Sequence, residues 1–186
     1  MKNLRLVVPS LALAALTGTG CWITSAQIFA HFALTNPFTI DNAAAVPFER
    51  EYVDLSVESQ DYKDNKDKLK TLSDLAVVGT FTNNVPSPAG GVEFYITPGN
   101  TNLGSVPAIT SGATKLWGPG TIGAAPATRT IGWDDSAALF TAAGKQILID
   151  AATHDGTFTI YAIGTAGTYN ITVTDGFLIL VLDAAI

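Results

Sequence analysis

Apolar and polar residues alternate with a period of two along much of this chain, which predicts strands. In residues 26–34, Ile28, Ala30, Phe32 and Leu34 fall on one face. Val53, Leu55 and Val57 repeat the alternation, with Tyr52, Asp54 and Ser56 opposite, as in a half-buried strand. Residues 75–82 read as a further strand, stopped by Asn83-Asn84-Val85-Pro86. In the next, Val92, Phe94 and Ile96 alternate with Glu93 and Tyr95. Residues 98–126 are heavy in Gly, Pro, Thr and Ser, and the best strand candidate among them is 115–117. Residues 128–133 and 157–163 add two more, the latter with Phe158, Ile160 and Ala162 turned inward. The runs 169–174 and 177–182 are separated only by Asp175-Gly176, which predicts a hairpin; the alternative is a bulge in one long strand.

Residues 59–72 break this period. They are rich in Lys and Asp and place Tyr62, Leu69 and Leu72 at helical spacing, so they predict one surface helix. Ser59 is its expected N-cap, and Asp64 and Lys68 form an i,i+4 pair on its outer face. Asp134-Asp135-Ser136 is a start signal for a short helix over 137–142, and 146–152 reads as helix, with strand as the alternative. Many short strands, Gly/Pro-rich connections and few helices predict a single β-sandwich with immunoglobulin-like layering. The run 177–182 is apolar at every position, which places it in the interior between the layers.

The start of the chain changes the picture of where it resides. Lys2 and Arg5 precede an eleven-residue apolar stretch, residues 6–16, followed by Thr17-Gly18-Thr19-Gly20 and the single cysteine, Cys21. That order is an export signal, and the stretch is short of the roughly 20 apolar residues a membrane-crossing helix needs. It predicts a lipoprotein signal over 1–20, cleavage before Cys21, lipid attachment at Cys21 and a mature domain over 21–186. Trp22 after it, in place of Asp, predicts outer-membrane sorting in a Gram-negative cell. The competing site lies after Ala26, where Thr24-Ser25-Ala26 suits ordinary signal peptidase and would give a soluble secreted or periplasmic protein.

Loss of residues 1–20 leaves eight Lys+Arg against sixteen Asp+Glu, a net charge of −8. That balance disfavours nucleic acid, whose phosphates are neutralised by Lys and Arg, and leaves the N-terminal lipid as the one expected route to a membrane. A protein or a glycan stays open as partner.

Few residues carry chemistry. The two histidines, His31 and His154, have no second His or Cys at ligand spacing, so a metal site is not expected. No Gly-x-Ser-x-Gly or Gly-x-x-x-x-Gly-Lys-Ser/Thr pattern occurs, and no cofactor is expected. Asp61-Tyr62-Lys63-Asp64-Asn65-Lys66-Asp67 suggests calcium, but Lys63 and Lys66 occupy the third and sixth positions, where an EF-hand needs a ligand and Gly. Asp134-Asp135 beside Trp133 is a better cation candidate, for which a helix cap is the simpler explanation. Glu93 and Asp134 form a nominal hydrolase carboxylate pair of unknown separation. Trp117 and Trp133, with Tyr95, are candidates for an aromatic platform under sugar rings, against the commoner use of strand aromatics as core.

Three segments together carry a family resemblance. These are Val53-Asp54-Leu55-Ser56, the charged run 61–70 with a strand ending in Asn83-Asn84, and Gly156-Thr157-Phe158-Thr159-Ile160-Tyr161. The chain resembles a group of uncharacterised bacterial envelope lipoproteins. The resemblance implies an exported β-rich domain and transfers no catalytic residue. The resulting expectation is a lipid-anchored envelope protein with a non-enzymatic structural or interaction role. The alternatives are a carbohydrate-binding module using Trp117 or Trp133, and an assembly subunit whose first strand joins a neighbour's sheet.

Overall fold

A computed structural model describes residues 25–34, 37–44, 46–85, 90–165 and 167–185. Cys21, Trp22 and the export signal lie outside the described residues, as does the side chain of His31. Along the chain run β1 (Ser25–Ala33), β2 (Phe38–Asp41), β3 (Phe48–Asp54), α1 (Leu55–Glu58) and α2 (Gln60–Asn65). A 3-10 turn (Lys66–Lys68) leads into β4 (Leu69–Asn83), β5 (Gly91–Pro98), α3 (Val106–Gly112), β6 (Thr114–Thr121) and β7 (Ala127–Ile131). Then come α4 (Trp133–Ala137), α5 (Ala142–Thr153), β8 (Thr157–Gly164) and β9 (Asn170–Ala185).

The strands form two antiparallel sheets. One is five-stranded, in the order β1-β9-β4-β7, with β2 continuing the β1 side of β9; the other runs β3-β8-β5-β6. Their facing residues make one apolar interlayer that includes Ile28, Phe81, Phe94, Trp117, Phe158, Ile171 and Leu180. The protein is a β-sandwich, as the period-two pattern predicts.

Several local expectations change. Asp175-Gly176 does not turn a hairpin: β9 passes through it as one sixteen-residue strand. Asp175 takes φ 52°, a left-handed conformation Asp tolerates better than most residues. A register shift falls opposite it between Val78 and Thr80. Here β1 ends and β2 begins on the other side of β9, and Leu34 N–H donates to Gly176 O at 3.0 Å. A long partner on one side and two short ones in series on the other favour continuation over reversal. Leu178, Leu180 and Leu182 face the interlayer, whereas Phe177 and Ile179 are half-buried, so the run 177–182 is central in its sheet but is not covered equally on both faces.

The strand expected through Val57 stops at Asp54, whose carboxylate accepts from Ser56 N–H at 2.9 Å and caps α1. Leu55 is fully buried and Val57 is exposed. The charged helix is shorter than expected. Ser59 Oγ accepts from Tyr62 N–H as the cap, but Leu69 and Leu72 belong to β4, and Asp64 accepts from Gln60. Asp134 and Asp135 sit inside the first turn of α4, with Gly132 as the N-cap, and that helix ends at Ala137. The Gly/Pro-rich stretch contains α3, capped by Ser105 Oγ, whose Ile109 packs on the outer face of the sheet against Tyr95 of β5 and Tyr161 and Ile163 of β8.

Candidate functional site

The three aromatics proposed for a sugar platform stand in three separate settings. Trp117 is on the inner face of β6 and is fully buried. Its ring stacks on Phe81 at 6.0 Å between centroids and tilts against Phe94 at 5.4 Å. Its Nε1–H donates to Ser136 Oγ at 3.0 Å, and the Ser136 carbonyl stands at 3.2 Å. Gly120 makes room for the indole, since a Cβ there would lie 2.5 Å from its ring edge. Trp117 therefore offers no face to a ligand; it is core, held by a buried polar contact that an indole N–H requires.

Tyr95 is also buried, on the opposite face of its sheet from Trp117, among Ile109, Tyr161 and Ile163. Its hydroxyl donates to Glu93 Oε2 at 2.9 Å. Burial, then the bond to Glu93 and its charge, push the phenol up to about 12. Trp133 opens α4 half-buried, and its Nε1–H donates to Asp74 Oδ2 at 3.1 Å. It is the one of the three with surface to offer.

The nominal carboxylate pair is likewise not assembled as a site. Glu93 is bound to Lys115 Nζ at 2.5 Å and accepts from Tyr95, while Asp134 is exposed on α4. A proton-transfer role needs a carboxyl facing substrate, and the Glu93 carboxylate is instead engaged by a donor on each oxygen. His154 ends α5, exposed, with Nδ1 2.7 Å from the Asp150 carbonyl oxygen. A carbonyl cannot donate, so Nδ1 carries a proton in this contact. The ring borders a shallow groove with Pro98, Ile147, Ala151 and Asp155. Among the described residues no three His, Cys, Asp or Glu side chains are grouped so as to hold a metal ion.

One arrangement escaped sequence reasoning. Glu49 and Glu51 of β3 turn into the mouth between the layers, where they line a small cavity with Leu34, Phe38, Phe94, Ile160 and Ala162. Burial, and secondarily the charge of Glu51, raise the Glu49 carboxyl above its ordinary value. The signal was the alternation itself, because continuing the buried Val53 phase backwards passes through Glu51 and Glu49. Buried hydroxyls elsewhere are used in packing: Tyr62 donates to Ala152 O at 2.9 Å, and burial with Asp155 and Asp54 nearby pushes it up to about 12.

No protein-family model and no curated protein matches the chain.

Proposed function

We propose that the chain is an exported envelope protein, tethered by a lipid on Cys21, whose role is structural or interactive and not enzymatic. One observation carries this reading: the polar side chains best suited to chemistry are spent on the fold and stand apart. Glu93 holds Lys115 and Tyr95, the Trp117 indole holds Ser136, and the His154 ring holds the Asp150 carbonyl. A lipid address is supported by β1. Ser25 and Ala26 are laddered with Ala185 and Ala184, so cleavage before Cys21 preserves the whole strand, whereas cleavage after Ala26 trims it by two residues.

Intact mass spectrometry of the membrane fraction tests the address. A diacylglyceryl adduct on Cys21 is expected, and a chain starting at Gln27 overturns it. Turnover of generic ester, glycoside or peptide substrates by the purified protein overturns the non-enzymatic role. A second reading, self-assembly through strand addition, is favoured by the position of β1 at the end of its sheet. The carbohydrate reading is reduced to Trp133, and a glycan array with Trp133→Ala as control decides it.

A further inference from the structure

The sheet ends of this sandwich are protected in different ways, and β1 is the exception. At β6, the backbone of the following segment covers the strand: Gly118 N–H donates to Leu139 O at 3.0 Å and Thr141 N–H to Leu116 O at 2.9 Å. Beside the lower part of β4, α4 takes the place of a strand, and Val77 N–H donates to Ser136 Oγ at 2.7 Å. β7 is only five residues long and carries Arg129. β3 carries Glu49, Arg50 and Glu51 in succession. Short length, charge and covering segments are the means by which proteins keep open edges from pairing. α1 and α2 lie against β1, but among the described residues no segment hydrogen-bonds to its outer edge. It is nine residues long, contains no Asp, Glu, Lys, Arg or Pro, and pairs with β9 without a bulge.

The phase of its hydrogen bonds follows from Leu34, whose N–H points to β9. Backbone groups alternate sides along a strand, so those of Ala26, Ile28, Ala30 and Phe32 serve β9. Those of Gln27, Phe29 and His31 point to the side where, among the described residues, the sheet has no further strand. We propose that this edge pairs antiparallel with the same edge of a second copy, about a two-fold axis at Phe29, joining two five-stranded sheets into one. In that register Phe29 stands opposite itself and Gln27 opposite His31, so outward-pointing backbone groups meet their own kind. Ile28 stands opposite Ala30, which keeps the buried faces of the two copies on the same side of the joined sheet. A second copy is the occupant because the pairing is self-complementary in register and free of charge. Elsewhere the net charge of −6 makes copies repel.

This inference rests on the interaction role proposed above, but a failed lipid or turnover result would leave it standing. Sedimentation of the purified processed chain tests it, with a mass twice that of one chain expected. Gln27→Pro removes an outward N–H that β9 does not use, so it should give the single-chain mass with an unchanged melting temperature. Ile28→Pro, which removes an inward N–H, should lower the melting temperature. If Gln27→Pro disturbs folding, the double variant Gln27→Lys/His31→Lys places like charges opposite one another and should also give the single-chain mass. A wild-type chain that stays single at the highest attainable concentration overturns the proposal. So does a pair that survives both sets of substitutions.

Discussion

At the β6 margin the space between the layers is filled by Trp117, Phe81 and Phe94, whereas at the β3 margin it receives Glu49 and Glu51. Both margins arise from the same period-two alternation. At the first, the inward positions are aromatic, Gly120 leaves room for the indole, and Ser136 satisfies its N–H. At the second, the inward positions are carboxylates that do not bury well, so Glu49 titrates above its ordinary range. The difference teaches that a sandwich margin is closed either by filling it or by making it unattractive to another strand. The first gains packing energy; the second sacrifices some for solubility.

The largest test of this contrast is Trp117→Ala, which should lower stability by about 3–5 kcal/mol in urea unfolding, because a fully buried ring leaves a cavity behind. A loss below about 1 kcal/mol would mean the aromatic margin is not where the stability resides. Next comes Gly144→Ala. A Cβ on this residue of α5 would lie 2.6 Å from the backbone oxygen of Lys115, and backbone cannot rotate away as a side chain can. The expected loss is roughly 1–3 kcal/mol, read from the same unfolding curves. Ser136→Ala should cost about 1 kcal/mol, since Val77 N–H loses its acceptor while the Trp117 indole keeps the Ser136 carbonyl.

The smallest effect has the opposite sign. Glu49 has a folded-state pKa above the ordinary 4.5, so in that window the folded chain binds more protons than the unfolded one. Its contribution to stability therefore falls as pH rises through the window and is unfavourable at neutral pH. Glu49→Gln should raise the melting temperature at pH 7, with the gain fading as the pH drops below 4.5. A gain that does not depend on pH would assign the effect to packing and not to charge.

The strand content was legible because alternation is a local signal. The inward set Phe158, Ile160 and Ala162 is buried as the period indicates. The continuity of β9 was legible only as the alternative to a hairpin. Asp-Gly suits a hairpin locally, and only the fifteen residues of β4 alongside decide for a through-strand. The helix stripe failed similarly: Leu69 and Leu72 sit at helical spacing from Tyr62, but sheet pairing with Ala184 and Leu182 claims them. Of the candidate site, Trp117 was open to both readings and takes the commoner one, core, because a strand aromatic looks the same in sequence whether it faces core or solvent. Glu49 and Glu51 were missed because inward carboxylates contradict the polarity rule that identifies a buried face.

The central position of β9 bears on how the molecule can be assembled. Among the described strands β1, β2 and β4 pair with no common strand except this one, and it comes after all of them in chain order. A ribosome that has released everything up to residue 169 has made all of the β3-β8-β5-β6 sheet and none of the joints that hold β1 and β2. The five-stranded sheet must therefore wait for β9, so contacts of long sequence separation set the pace and its folding should be slow. Such a delay leaves the five-stranded sheet unmade until residues 170–185 have emerged.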